Sequence, residues 1–410
     1  MFCSRTVRVV QDNLSARANY IRYLGRANRY LFKARLYMND ACVEEDRAGE
    51  KKQTEAMEAK LRTTDEEDRA WLLGFRCGCV YCWPTESYSR LGFGIHFLSH
   101  AVRCHPEDKK VLLQIKQSFN NPYHLASWDP ATDCCYWYVV ECDRKTNRIN
   151  ELHLFAANVS GHIPAAIAGL TYLETLTLHK ITDLTGAIPP ALTKLTNLKR
   201  LTISWTNISG EIPPFLSQLK NLTFLDLSFN NLSGGIPPSL SQLRSLYGLR
   251  LDRNKLTGPI PDSFGDLSPS LQYLHLSHNQ ISGRVPTNWG GLNFTWIELQ
   301  RNRIEGDVSV LFGKNKTVQV VDFSRNLLDF DISEAVIGFP ESLRVLDLSH
   351  NRITGSLPEG LTELENLYMN VSYNRLCGRI PFGGRLQLLD FTSYLHNRCL
   401  CGAPLPNDCK

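Results

Sequence analysis

From about residue 149 to residue 381 the apolar positions return in a fixed order. Leu225, Leu227, Leu232, Ile236 and Pro237 reappear as Leu249, Leu251, Leu256, Ile260 and Pro261, and again as Leu274, Leu276, Ile281, Val285 and Pro286. Marker glycines stand at Gly161, Gly186, Gly210, Gly234, Gly258, Gly283, Gly306, Gly355 and Gly378, which gives ten units of about 24 residues with one glycine slot filled by Phe330. A fixed period of this length predicts stacked coils. Within Leu-x-Leu the leucines point inward and x outward, because strand side chains alternate. A single unit cannot bury its leucines alone, so neighbours stack and share one core. Each buried leucine contributes roughly 1.5–3 kcal/mol. The recurring Asn230, Asn254, Asn279, Asn302, Asn326, Asn351 and Asn374 fall where the chain turns inward, and their amides are expected to satisfy backbone groups of adjacent coils. The second unit carries an extra residue near Ile181 to Asp183. The eighth lacks Gly and Pro at Phe330 and Ser333, and the tenth is one residue short near Leu367 to Val371.

Cysteines flank the repeats and avoid them. Cys104, Cys134, Cys135 and Cys142 precede them, Cys377, Cys399, Cys401 and Cys409 close them, and none falls between Cys142 and Cys377. That placement reads as stapled caps in an oxidising space. A bond between the neighbours Cys134 and Cys135 would be strained, which leaves two pairings for the first four. The expectation is Cys104–Cys134 with Cys135–Cys142, and Cys104–Cys135 with Cys134–Cys142 stays open. At the other end it is Cys377–Cys399 with Cys401–Cys409. Zinc is the competing use of either cluster, but Cys134-Cys135 lacks C-x-x-C spacing and no histidine pair stands alongside. No metal site and no cofactor is expected. Val111, Leu112, Ile115 and Phe119 recur at helical spacing, predicting one amphipathic helix in the first cap.

Four regions follow: an atypical extension (1–103), an N-terminal cap (104–148), the repeats (149–381) and a C-terminal cap (382–410). The formal charge is +4, and residues 1–103 hold 17 Lys/Arg against 13 Asp/Glu while the rest is balanced at 28 against 28. A neutral body argues against nucleic acid, which needs clustered cations. The extension is Arg-rich to residue 38 and lacks an uninterrupted apolar core before a cleavage site. It reads as a gene-model addition, with an organelle-type leader and a disordered tail as alternatives. No segment has the roughly 18 apolar residues of a membrane span. N-x-S/T sequons stand at Asn158, Asn207, Asn221, Asn231, Asn293, Asn315 and Asn370, which fits secretion, although several belong to the repeat consensus itself.

The form Leu-Ser/Thr-Gly-x-Ile-Pro resembles the plant extracellular class of leucine-rich repeats. That resemblance implies an α/β, β-rich, right-handed solenoid with a parallel concave sheet, a second short sheet beside it and 3₁₀ turns on the convex side. From Cys104 to Lys410 the chain resembles the plant polygalacturonase-inhibiting proteins more closely. The residues that carry this likeness run from Asp108 to Lys116, from Asp133 to Tyr138 and from Arg144 to Ile149, then from Asp307 to Gly313, Val371 to Gly378 and Cys399 to Pro406. The likeness implies a wall-bound or apoplastic glycoprotein that inhibits fungal endopolygalacturonases through its concave strands, without an active site of its own.

Ten strands at about 4.8 Å span roughly 45 Å, and a stable complex needs about 800 Å² per partner. The outward positions expected on that face include Glu151, His153 and Phe155, then Trp205, Phe224, Asp226, Ser228 and Phe229. Gly248, Arg250, Asp252, Tyr273, His275, Ser277 and His278 follow, then Trp296, Glu298, Gln300, Asp322, Asp347, His350, Asn370 and Tyr373. Exposed aromatics make Trp205, Phe224, Phe229, Tyr273 and Trp296 candidate anchors, with packing on a neighbouring strand as the alternative. Asp226, Asp322 and Asp347 share the middle x of Leu-x-Leu and would meet a basic cleft, although Asp is common at this slot in ordinary repeats. Arg250, Arg253, Lys255, Arg301, Arg303 and Arg325 gather on adjacent units and would hold pectin, a polyanion, unless they form a solvated rim. A monomer is expected. His275, His278 and His350 near Asp322 and Asp347 lack a placed nucleophile, so no enzyme is expected. A receptor ectodomain and an ice-binding protein remain as rivals, the latter supported only by Thr175, Thr177 and Thr202.

Overall fold

Each coil opens on a strand whose leucines are driven into the stack. In the computed structural model, which describes residues 103–267, 270–334 and 338–409, Leu225, Leu227, Leu249, Leu251, Leu274 and Leu276 are fully buried. One hydrophobic core runs unbroken from Leu112 in the first cap to Leu400 in the last. The expectations placed on residues 1–102 lie outside the described residues.

The concave sheet is parallel and contains β2 (Ile149–Phe155), β3 (Thr175–Gly186), β4 (Arg200–Glu211), β5 (Phe224–Asp226), β7 (Gly248–Arg250), β9 (Tyr273–His275), β11 (Trp296–Glu298), β13 (Val320–Asp322), β15 (Val345–Asp347) and β16 (Tyr368–Asn370), with β1 (Val140–Cys142) antiparallel at its start. A second run of parallel strands lies past the bend of each coil: β6 (Asn231–Gly234), β8 (Lys255–Pro259), β10 (Gln280–Arg284), β12 (Arg303–Gly306) and β14 (Leu327–Leu328). The convex side is built from single 3₁₀ turns such as Pro214–Gln218 and Pro238–Gln242, each entered through a proline whose φ is already set for it.

The repeating asparagine is the hinge between the two runs. Asn254 Nδ2 donates to the carbonyl oxygens of Leu227 (2.9 Å) and Leu251 (3.1 Å), while its Oδ1 accepts from Leu232 N (3.0 Å). One half-buried side chain thus satisfies backbone groups on two coils that no strand partner reaches. Asn279, Asn302, Asn326, Asn351 and Asn374 repeat the pattern, and Asn397 carries it into the last cap, bonding Val371 O, Tyr394 O and Leu376 N. Coils two and three have Ile181 and Thr206 at this slot. Lacking the hinge, β3 and β4 run as 12-residue strands through the bend and join both runs. The extra residue of the second unit is absorbed there as a register shift between Ile181 and Thr185. In the eighth unit, without its Gly and Pro, β14 shrinks to two residues and only an isolated bridge, Asp331 to Thr354, continues the second run.

Disulfides join Cys104 to Cys134, Cys135 to Cys142, Cys377 to Cys399 and Cys401 to Cys409. The first cap is also held by an ion pair. Asp108, on helix α1 (Pro106–Ser118), is 1% exposed and accepts from Arg148 Nε (2.8 Å), Arg148 Nη2 (2.6 Å) and Ile149 N (2.9 Å). This bidentate pair ties the helix to the first repeat strand, and its backbone bond uses the carboxylate's remaining lone pairs. No helix among the described residues is long and apolar enough to cross a membrane.

Candidate binding face of the concave sheet

Register fixes the middle row of the concave face. Across adjacent strands His153, Thr177, Thr202, Asp226, Arg250, His275, Glu298, Asp322, Asp347 and Asn370 stand beside one another in that order. Much of its charge is paired internally. Arg250 lies 3.7 Å from Asp226 and 3.5 Å from Asp252. Both oxygens of Glu298 are held, one by His275 Nδ1 (3.1 Å) and one by Trp296 Nε1 (2.7 Å).

Burial pushes the Glu298 carboxyl up, but His275, the Trp296 N–H and Arg250 together bring it below the ordinary range. Asp322 has no such cation. Burial raises it most, Asp347 and Glu298 add to the rise, and the Ser324 hydrogen bonds only partly oppose it, leaving its pKa at about 6. Asp252 is likewise raised, first by burial and then by Asp226, against the pull of Arg250.

Several outward assignments need correction. Asp226 is 7% exposed and accepts from Ser228 N (2.9 Å) and Oγ (2.6 Å), so it brackets its own turn. Asp322, Asp347 and Asn370 accept from the backbone N–H two residues on in the same way. The position after the second leucine was also expected outside. Ser228, Asp252, Ser277, Ser324 and Ser349 are instead buried, because the chain is already curling toward the asparagine hinge and the strand alternation has ended. Phe224 is half-buried, with its ring over Gly248 where a Cβ would stand 2.7 Å away, and the Arg200 guanidinium lies 5.8 Å from that ring. Tyr273 and Trp296 are half-buried on the row beside Phe224. Tyr368, in register with Val345 at the far end of that row, is 55% exposed. Tyr368 was missed because the shortened tenth unit obscures its x position.

Trp205 belongs elsewhere. It lies in a column of left-handed residues, one per coil, immediately before the hinge position: Ala156, Lys180, Trp205, Phe229, Arg253, His278, Arg301, Arg325, His350, Tyr373 and His396, with φ between 48° and 59°. Side chains other than Gly, Asn and Asp rarely adopt this conformation; the hinge bonds hold it in the coils that carry the asparagine, while Ala156, Lys180 and Trp205 adopt it ahead of Ala157, Ile181 and Thr206. The column contains no acid. Its side chains stack in file, Trp205 on Phe229 at 3.9 Å, Arg253 over Phe229 at 4.9 Å, and His350 on Tyr373 on His396 at 4.1 Å each.

The six cations expected to act together therefore separate. Arg250 sits on the concave row between two aspartates, Arg253, Arg301 and Arg325 occupy the left-handed column, and Lys255 and Arg303 begin β8 and β12. Of the sequon asparagines, Asn158, Asn207, Asn221, Asn293 and Asn315 are exposed. Asn231 is half-buried and donates to Asn207 Oδ1, and Asn370 is half-buried on the concave row. The cap cysteines are spent in disulfides, so the grouping of Cys104, Asp133, Cys134 and Cys135 offers a metal no free thiolate.

Residues 105–143 match the model for the leucine rich repeat N-terminal domain, and residues 197–219, 221–281, 244–304 and 342–364 match leucine rich repeat models. The solved structure of a plant ice-binding protein is 47% identical with a TM-score of 0.73, covering 75% of this chain and 99% of that one. The crystal structure of PEPR1-AtPEP1 aligns at 30% identity and a TM-score of 0.56, over 67% of this chain and 42% of that chain. A polygalacturonase inhibitor of Vitis vinifera is 62% identical over 312 residues, which is 76% of this chain and 93% of the relative. Polygalacturonase inhibitor 1 of Arabidopsis thaliana is 61% identical over 304 residues, 74% of this chain and 92% of the relative. With its capped leucine-rich coil and these relatives, the chain belongs to the polygalacturonase inhibitor family, whose members are non-enzymatic binding proteins.

Proposed function

We propose that this protein is secreted to the plant cell wall and blocks fungal endopolygalacturonases by covering them with its concave face. The observation that carries the reading is the concave face itself, a continuous ten-strand register of polar side chains running from His153 to Asn370 with Phe224, Tyr273 and Trp296 on the row next to it. Trp296 on the aromatic row, with Glu298 and His275 on the middle row, forms a preorganised cluster, and a rigid aromatic held by its own hydrogen bond loses little freedom when a partner covers it. Tyr273, Phe224 and Arg250 flank the cluster. Asp226 is offset by Arg250, so the negative cast of the row comes from Asp347 and, above its pKa of about 6, Asp322, and it favours a partner with a basic cleft. Trp205 would meet the partner at the edge of the sheet.

Exposed sequons at Asn158, Asn207, Asn221, Asn293 and Asn315 leave the row clear when glycosylated. Arg253, Arg301 and Arg325, with Lys255 and Arg303 beyond the bend, form a cationic rail beside the concave sheet that would hold the protein to unesterified pectin. Ice binding is a second reading, favoured by the likeness to the ice-binding structure. It is the weaker one, because Thr177 and Thr202 are the only threonines side by side in the middle row before Asp226 and Arg250 begin its charged stretch.

The test is to titrate the purified protein against a panel of fungal endopolygalacturonases and follow release of reducing ends. The reading expects loss of product release with at least one enzyme and no hydrolysis by the protein alone. Absence of inhibition and of binding across the panel would overturn it.

A further inference from the structure

Three histidines interrupt the arginines of the left-handed column. From coil five onward it reads Arg253, His278, Arg301, Arg325, His350, Tyr373 and His396. Arg253, Arg301 and Arg325 are exposed, and none of them takes part in an ion pair among the described residues. The column therefore presents permanent positive charge at one-coil spacing with ionisable rings between and beyond it.

Resting on the reading of this rail as a polyuronide site, we infer that His278 and His350 make it proton-coupled, so that a linear polyanion binds with uptake of protons and more tightly as pH falls. The geometry gives the cause. His278 lies between Arg253 and Arg301 and faces Glu298 across the bend, while burial and the two guanidiniums keep its ring neutral below the usual imidazole range. His350 faces Arg325, Arg301 and His396 against the single carboxylate of Asp347. Its protonation is held down first by burial and then by Arg325. His396 is exposed at the end of the file and stacks on Tyr373, which separates it from His350. A chain of carboxylates laid along the column neutralises the arginines and supplies each imidazolium with a counter-charge. The repulsion that suppressed protonation then becomes attraction, and the stacked Tyr373 ring favours a cation on His350. By linkage, each proton taken up steepens the affinity by at most about tenfold per pH unit.

The probe is an oligogalacturonate of defined length, whose carboxylates stay ionised across the range, titrated calorimetrically into the full protein at pH 7.5 and pH 5.5 and low salt. The wild type is expected to bind about 10- to 100-fold more tightly at pH 5.5, and to take up one or more protons when heats are compared in buffers of different ionisation enthalpy. The double variant His278→Gln, His350→Gln is expected to keep its pH 7.5 affinity and lose most of the pH gain. Unchanged inhibition of a target endopolygalacturonase verifies that the variant is folded. Equal wild-type affinity at both pH values without proton uptake overturns the coupling and leaves the rail standing. A pH gain that survives in the double variant also overturns it. No binding at either pH overturns the rail reading itself.

Discussion

Two columns lie side by side on this molecule, separated by three residues in each coil, and they are electrostatic opposites. The middle row of the concave sheet mixes signs and pairs them internally, Asp226 with Arg250 and His275 with Glu298. The left-handed column beside it carries arginines, lysine, histidines and aromatics and no acid. Both are spaced by the same stacked leucines, so the coil supplies geometry to each and chemistry to neither. A paired, half-buried row suits a single shape-matched protein partner, because desolvating a pre-formed pair costs less than desolvating lone charges. An unpaired exposed column suits a flexible polyanion and is strongly weakened by salt.

The largest effect breaks both columns at once. Asn302 hinges the row to the column by bonding Leu276 O, Leu299 O and Ile281 N, all in the buried interior. Asn302→Ala leaves those groups unpaired and should cost on the order of 3 kcal/mol, read as a lower denaturation midpoint with both binding activities reduced. Next, Trp296→Ala removes the aromatic anchor beside the middle row and releases Glu298. Affinity for the target enzyme should fall by about 2 kcal/mol, roughly 30-fold, with oligogalacturonate binding unchanged.

Asp322→Asn sharpens the comparison through pH. The folded pKa of about 6 lies above the ordinary carboxylate value of 3.8. The stability linked to this group is therefore fully present at low pH and is lost as pH rises toward and through 6. Asparagine keeps the acceptor for Ser324 N without the charge. The variant should gain about 1–3 kcal/mol over wild type at pH 7.5 and little at pH 4, measured by thermal denaturation at the two pH values. The smallest effect is expected from Arg301→Gln, which should weaken oligogalacturonate binding only a few-fold at low salt, less at high salt, and leave enzyme inhibition intact.

Much of the coil was legible before the structure, for a physical reason. Leucines at Leu225 and Leu227, glycines at a fixed step and one asparagine per unit each meet a demand that few other residues satisfy, so the pattern itself states the fold. The face was only partly legible. Strand alternation placed Asp226 and Ser228 outside, but it stops one residue after Leu227, where the turn folds the carboxylate back onto its own serine. The left-handed column was invisible as a column because Arg253, Trp205 and His350 are not residues whose presence signals positive φ. The bend imposes the conformation, in coils four to ten through the hinge asparagine that follows, and the side chain is then free to be selected for what it binds. The regular signal was that every such residue immediately precedes Asn in coils four to ten.

The central claim is that the concave strands, the middle row with the aromatic row beside it, grip the enzyme and the left-handed column does not. Direct calorimetric binding of one inhibited endopolygalacturonase, without pectin present, to wild type, to Trp296→Ala and to the combined Arg253→Gln, Arg301→Gln, Arg325→Gln variant tests it most directly. A loss of about 30-fold for Trp296→Ala and less than about 3-fold for the arginine variant is predicted. Full affinity in Trp296→Ala together with loss of binding in the arginine variant would contradict it.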